Sequence, residues 1–277
     1  MSPGRLGPEQ AEKAGAMSRE DPDVIDSVEK AFRLLQAFSA EHPTVTVSEA
    51  AQLTGLTRAT ARRILLTFVR LGFAEAVGRE FRLTPHVLRL GYGYLNSQPV
   101  AERAQPHMRA LADKVLESCS MATLDEGEIV YLARVPAARS MSITLSVGSR
   151  LPAYPTSMGR VLLAALPPEQ LQAYLDGSEL RKLTPHTIDD ADALRVELDQ
   201  VRQQGYAVVD GEREEGVRSA AAPVRDASGA VIAAINVSAN AARVSLRSLR
   251  EEVVPHVVAT ADAISRDIGF GGTRVVS

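Results

Sequence analysis

Arg58, Arg62, Arg63 and Arg70 stand within one short segment whose apolar residues recur at helical spacing. At about 100° per residue, Ala61, Ile64, Leu65, Phe68 and Leu71 form one apolar stripe. Ala59, Arg62, Arg63, Leu66 and Arg70 point away from it, and Arg58 stands at the edge of the first turn. A guanidinium is a planar fork that bonds the two acceptors of a guanine edge at once, which an ammonium cannot do. A small residue such as Ala59 lets the helix approach a base pair closely. This chemistry suits the major groove of duplex DNA. A solvated amphipathic helix has the same pattern, so the flanking elements must decide.

Those elements favour DNA. Thr46 is placed to cap a first helix with Glu49 three residues on, a capping box. Gly55 ends that helix in a sharp turn, Thr57 caps the arginine-bearing helix, and Gly72 closes it. Phe73–Val77, a turn at Gly78-Arg79-Glu80 and Phe81–Thr84 then form a hairpin where a winged helix-turn-helix carries its wing. Arg58, Ala59, Arg62 and Arg63 are expected at base edges, with Thr57, Thr60 and Arg79 at phosphates. Thr46 and Ser48, at the start of the first helix, complete the DNA-facing set.

Charge is distributed accordingly. Six arginines between positions 57 and 84 face only Glu75 and Glu80, a local balance of +4. The chain as a whole carries −3, so the remainder carries −7. A basic patch on an acidic molecule fits a regulator that touches DNA at one end. With 277 residues the chain is long enough for two domains, and 4% aromatic content without Trp implies aliphatic cores.

Other reactive side chains carry weaker signals. The single cysteine, Cys119, lies in an apolar run and reads as a small buried hydrophobe in a reducing compartment. Five scattered histidines lack metal-ligand spacing, and Gly91-Tyr92-Gly93 lacks the rest of a nucleotide fingerprint, so no metal or cofactor is expected. Glu212-Arg213-Glu214-Glu215 reads as a solvated loop rather than a pair of catalytic carboxylates. Ser157 is not in a nucleophile elbow, so no hydrolytic site is expected. Thr156 and Ser157 precede an apolar helix whose first N–H groups suit a carboxylate, and simple capping explains them equally well. Asn236 and Ser238 alternate with Ile235 and Val237 along a strand; a ligand or a solvent-facing side accounts for them.

The expected organisation is α+β. Residues 1–22 form a disordered tail, with Met17 a second candidate start; 23–84 form the winged helix-turn-helix domain, opened by a helix over Ser27–Ala40 carrying Val28, Ala31, Phe32, Leu35 and Phe38. Residues 85–99 form a linker helix broken at Ser97-Gln98-Pro99, 100–270 an α/β domain around a mostly antiparallel central sheet, and 271–277 a tail. Within that domain a helix runs from Val100 to Glu117, and strands follow in residues 119–125, 128–136 and 142–147. Helices are expected at 157–166, 168–176, 190–204 and 243–268, and further strands at 206–210, 217–224 and 230–238. No apolar run reaches the roughly 20 residues a membrane span needs, and a cytoplasmic location is expected.

VSEAAQLTGLTRATARRILLTFVRLGF, LRLGYGYL, RLPAYPTSMGRVLLAAL and GYAVVDGEREEGVRSAAAPVRDASGAVIAAINVS occur in that order, followed by the closing helix. With these motifs the chain resembles the IclR family of transcriptional regulators over residues 24–270. RLPAYPTSMGRVLLA most resembles the branch that controls protocatechuate breakdown through the β-ketoadipate pathway. The resemblance implies a non-enzymatic regulator of aromatic catabolism that pairs through its DNA-binding domain and linker helix, often as a dimer of dimers. It also implies a small-acid pocket lined by Leu151, Thr156, Ser157, Met158, Val209, Asp210, Val217, Ser219, Asn236 and Ser238. Arg134 and Arg150 are candidates for the acid's carboxylate, although surface ion pairs explain both. Ser157, Met158 and Asn236 stand where small-keto-acid members carry smaller or hydroxyl side chains, and the cysteine those members have near Ser219 is missing. An aromatic or dicarboxylic acid is therefore favoured over pyruvate or glyoxylate. An enzyme with a helix-turn-helix docking module is a more remote reading.

Overall fold

A computed structural model describes residues 24–39, 41–91, 100–137 and 145–271. The chain divides into two compact units, residues 1–94 and 95–277. In the first, α1 (Asp26–Gln36) stops short of the expected Ala40. Its buried side is Leu34, with Ala31, Leu35 and Phe38 packed alongside. Val28 and Phe32, expected in the core, are 47% and 54% exposed. The helical period holds, but the stripe that faces inward is narrower than the stripe that is apolar.

The strand β1 (Thr44–Thr46) leads into α2 (Val47–Thr54), and α3 (Arg58–Arg70) follows the turn at Gly55, whose φ is +69°. The capping box is complete: Thr46 Oγ1 accepts the Glu49 N–H at 3.2 Å, and Glu49 accepts the Thr46 N–H at 2.7 Å. Thr57 caps α3 by accepting the Thr60 N–H. Ala61, Leu65 and Phe68 fix α3 in the core, whereas Leu71, expected on the same stripe, is 56% exposed at the helix end. The wing is β2 (Ala74–Val77) and β3 (Glu80–Leu83), joined by Gly78-Arg79 with Gly78 at φ +64°. β1 pairs with β3 to make a third strand, so the hairpin is welded to the residue that caps α2. After Leu83 the linker begins as a 3-10 turn, Pro85–Val87, and turns helical to Gly91; the rest of the expected linker helix lies outside the described residues.

The second unit is built on a six-stranded, wholly antiparallel sheet. Its strands are β4 (Ser118–Asp125), β5 (Glu128–Val135), β6 (Arg150–Pro152), β7 (Ala207–Asp210), β8 (Val217–Arg225) and β9 (Val231–Asn240), in spatial order β6-β5-β4-β9-β8-β7. On one face Cys119, Met121, Ile235 and Val237 pack against α4 (Val100–Val115) and the C-terminal helix. On the other, Ala122, Ala221 and Ala234 meet α5 (Ser157–Ala164), α6 (Pro168–Gly177) and α7 (Ala191–Gln204). Alanines on that face let α5 lie close to the strands. The C-terminal helix is interrupted: a turn at Leu246–Ser248 and a π-helical stretch, Leu249–Val253, precede α8 (Val254–Asp267). Pro255 has no N–H to give and its ring clashes with a regular preceding turn, which a widened turn relieves. α4 ends at Val115 with Leu116 in the left-handed region, φ +58°, so Glu117 belongs to the strand entry and not to the helix. Of the expected strand at 142–147, residues 145–147 are loop and the rest lies outside the described residues; β6 begins only at Arg150.

The capping box carries a pH signature. The Thr46 N–H, then the Thr46 hydroxyl, hold the Glu49 carboxyl below its ordinary value. A depressed folded value means its stabilisation is complete above the ordinary carboxylate range and is lost as pH falls through the lower value. Acid titration of the unfolding of the DNA-binding unit should therefore be less steep for Glu49→Gln than for wild type; identical slopes would contradict the linkage.

Candidate functional site

The exposed basic side of the first unit follows from what α3 leaves uncovered. Arg58, Ala59, Arg62, Arg63 and Arg70 are exposed on α3, Ser48 is exposed at the start of α2, and Arg79 is exposed at the wing tip. Thr57 and Thr60 share a 2.9 Å hydroxyl contact at the start of α3, and Thr46 spends its hydroxyl on the capping box. Arg82 is different: its Nε donates to Glu75 at 2.5 Å across the β2–β3 pair. That exposed pair cancels one positive charge and leaves the α3 arginines and Arg79 as the basic surface.

In the second unit, strand register assembles a polar floor. Arg134 of β5, Ser120 of β4, Asn236 of β9 and Ala221 of β8 lie directly opposite one another in turn. The neighbouring row is Ser118, Ser238, Ser219 and Val209 across β4, β9, β8 and β7. Both rows sit on the face that meets α5. Above them is a cavity of about 150 Å³, walled by Tyr131, Leu151, Thr156, Ser157, Met158 and Val217. Arg134, Arg213 and an ion-paired Glu117 and Arg243 complete its polar edge.

Two buried atoms on residues of this lining have no partner among the described residues. Ser157 is 1% exposed and Asn236 is 5% exposed, yet Ser157 Oγ and Asn236 Oδ1 make no hydrogen bond. Asn236 spends its amide nitrogen on Ser238 Oγ at 3.1 Å. A buried polar atom left unsatisfied costs about 1–3 kcal/mol, and such atoms gather where a ligand supplies what the protein omits. Thr156 is accounted for by capping alone: its hydroxyl accepts the Gly159 N–H at 3.0 Å and donates to Ala153 O at 3.0 Å. The first N–H groups of α5, those of Ser157 and Met158, have no intrahelical acceptor, and both residues line the cavity. Burial pushes the Tyr131 phenol above its ordinary value, against the opposite pull of Arg134 and Arg213. It is thus a neutral hydroxyl on the wall, under two positive charges.

The wall is held by a buried cation. Arg160, 1% exposed, donates to Tyr154 O at 3.1 Å, to Glu197 of α7 at 3.3 Å and to Glu212 at 2.5 Å. Glu212 also accepts the Ile188 N–H, and its carbonyl oxygen accepts from Thr187. Gly159, next to Arg160, lies so close to Ala153 that an added Cβ would stand 2.0 Å from the Ala153 carbonyl oxygen. Ser157 and Met158 at one side of the cavity and Arg213 and Glu214 at the other are therefore fixed by one ion pair.

Ten of the eleven residues expected at the effector site line this cavity: Arg134, Leu151, Thr156, Ser157, Met158, Val209, Val217, Ser219, Asn236 and Ser238. Asp210 does not. Strand alternation turns it to the opposite face from Val209, where it accepts from Arg218 at 2.6 Å. Arg150 is likewise elsewhere, bonded to Asp125 and Glu128 at 2.6 and 2.7 Å. The solvated reading of residues 212–215 fails at Glu212, which is 7% exposed. Tyr131, Ser118 and Arg213 also line the cavity and are not among the expected residues; the alternation of Ser118 and Ser120 with Cys119 and Met121 is a usable signal for Ser118. Cys119 is buried as expected, its thiol pushed up to about 12 by burial. Removing one partner of a buried ion pair costs about 3–5 kcal/mol, so urea unfolding should show Glu212→Gln destabilised on that scale; a loss below about 1 kcal/mol, the value of an exposed pair, would contradict the role given to Arg160.

Comparison with known proteins bears directly on these two surfaces. Residues 27–78 match the IclR helix-turn-helix domain and residues 92–266 the bacterial transcriptional regulator IclR C-terminal domain. The Pca regulon regulatory protein of Pseudomonas putida is 42% identical over 90% of this chain and 84% of its own length. A regulator from Rhodococcus sp. RHA1 of known crystal structure is 46% identical, with a TM-score of 0.79, over 88% of this chain and 98% of that one. An IclR homologue from Microbacterium hydrocarbonoxydans, solved in complex with 4-hydroxybenzoate, is 27% identical with a TM-score of 0.79, covering 88% of this chain and 99% of that one. No helix among the described residues is long and apolar enough to cross a membrane. With both domain matches in chain order, this protein belongs to the IclR family of bacterial transcriptional regulators.

Proposed function

We propose that this regulator binds operator DNA through α3 and the wing and senses a small aromatic or dicarboxylic acid in the cavity beside α5, controlling genes for aromatic-compound breakdown. The observation that carries the sensing half is the pair of orphaned, buried atoms, Ser157 Oγ and Asn236 Oδ1, on two residues that line the cavity together with Arg134. A carboxylate at the start of α5 takes up the first-turn N–H groups and the Ser157 hydroxyl, and the guanidinium of Arg134 neutralises it. A cavity of about 150 Å³ accommodates a benzene-sized ring. The likeness to a Pca regulon regulator and to a homologue solved with 4-hydroxybenzoate supports an acid of the aromatic pathway.

On DNA, Arg58, Ala59, Arg62 and Arg63 read base edges while Thr57, Thr60 and Arg79 hold phosphates, with Thr46 and Ser48 beside the backbone. One such module covers too little surface for a specific site, so two copies on a repeated or palindromic operator are the working assembly.

Thermal unfolding should be measured with protocatechuate, 4-hydroxybenzoate, β-ketoadipate, pyruvate and glyoxylate. A native-state ligand at 100 times its dissociation constant contributes about 2.7 kcal/mol, so an aromatic-pathway acid should raise the midpoint clearly, and Ser157→Ala should reduce that rise while leaving ligand-free DNA affinity unchanged. A rise with pyruvate or glyoxylate only would replace the aromatic assignment, and loss of ligand-free DNA binding in Ser157→Ala would overturn the pocket.

A further inference from the structure

We infer that Leu66 of α3 helps to set operator sequence, and that the base it reads is thymine, through the 5-methyl group. This rests on the reading of α3 as the helix that enters the major groove, and adds a contact that the arginines cannot make.

Ala61, Leu65 and Phe68 bury one side of α3 in the core of the first unit. On the other side, Ala59, Arg63, Leu66 and Arg70 fall within one arc of about 60° at 100° per residue. All four are exposed, Leu66 at 42%. Residues three and four apart are neighbours on a helix surface. For Leu66 these are Arg62, Arg63, Val69 and Arg70, so a branched aliphatic side chain stands among three guanidinium-bearing ones. Thr67, at the border of the arc, turns its hydroxyl back on the helix and donates to the Arg63 carbonyl oxygen at 2.8 Å.

A single exposed leucine is ordinary on a protein surface. The setting of this one is not. A protein partner that covered Leu66 would also have to take three guanidinium groups out of water and answer their charge. Duplex DNA answers both at once. Its phosphates match the arginines, and the major groove offers one apolar group, the 5-methyl of thymine. The edges of adenine, guanine and cytosine carry donors and acceptors that a leucine would desolvate without replacing their bonds to water. Leu66 and Ala59 are about 10 Å apart along the helix axis, at 1.5 Å per residue, so they face different base pairs. Leu66 therefore adds a thymine to the operator at a position the first turn of α3 does not reach.

The test uses the full-length protein and a duplex selected from a random library for tight binding. Each thymine is replaced in turn by deoxyuridine, which removes the methyl group and keeps every base-edge donor and acceptor. Affinity is read by fluorescence anisotropy. One thymine in each half-site should respond with a loss of about fourfold, the value of one buried carbon group. Leu66→Ala should bind the thymine and deoxyuridine duplexes equally. The scan of the wild-type protein needs no variant, so it decides the matter even where Leu66→Ala folds poorly. Wild-type affinity that is unchanged at every thymine, with tight binding to the selected duplex intact, would overturn the inference and leave the DNA-binding function standing. A loss that persists in Leu66→Ala would also overturn it, by giving the methyl contact to another residue. Failure of the wild-type protein to select any duplex would overturn the DNA-binding function itself, and this inference with it.

Discussion

The buried guanidinium of Arg160 is the constraint on which the sensing domain depends. An arginine that is 1% exposed must have its donors and its charge answered inside the protein, and here the answers come from three separate places: the Tyr154 carbonyl just before α5, Glu197 on α7 and Glu212 after β7. These contacts leave little freedom for the start of α5. Thr156 caps the helix and Gly159 allows it to touch Ala153, so the end of α5 is seated against the sheet by shape and by charge at once. The cavity is a consequence of that seating. It exists where the alanines of the sheet face give way to serines and an asparagine that α5 does not cover.

The two surfaces use polar groups in opposite ways. In the DNA-binding unit the hydroxyls of Thr46 and Thr57 are consumed by caps, and the arginines of α3 stay in water, where their charge costs nothing to maintain until phosphate replaces solvent. In the sensing unit the unsatisfied groups are already out of water. Their desolvation is suffered in the free protein, and under the proposed function a ligand that supplies the missing partners would recover it. A site of that kind binds by completing the structure, which favours coupling of occupancy to conformation when only one arrangement offers the orphaned atoms.

Much of this was legible in the residues. Caps at Thr46, Thr57 and Thr156, turns at Gly55, Gly78 and Gly229, and the helical stripes of α3 and α7 are local, and local chemistry predicts local structure. What was not legible is long-range. The pairing of β1 with β3, the burial of Glu212 against Arg160 and the meeting of Arg134 with Asn236 across Ser120 join residues far apart in sequence. Asp210 was misplaced for a related reason: a motif carries a run of residues into a site, whereas a strand delivers only every second one. Val28 and Phe32 show the converse error, since an apolar residue at helical spacing need not have anything to pack against.

For the proposed regulator to work, acid binding in the cavity beside α5 must change the affinity of the α3 surface for DNA. The measurement that tests it most directly is a reciprocal binding cycle on the full-length protein, using the acid that stabilises it most and a duplex selected for tight binding. DNA affinity is measured by fluorescence anisotropy with and without saturating acid, and acid affinity by calorimetry with and without saturating DNA. Linkage requires both ratios to be the same, and typical couplings are about 5- to 150-fold. Equal ratios in that range, lost together in Ser157→Ala, would establish that acid binding at the cavity regulates DNA binding; DNA affinity that does not change at saturating acid would contradict it.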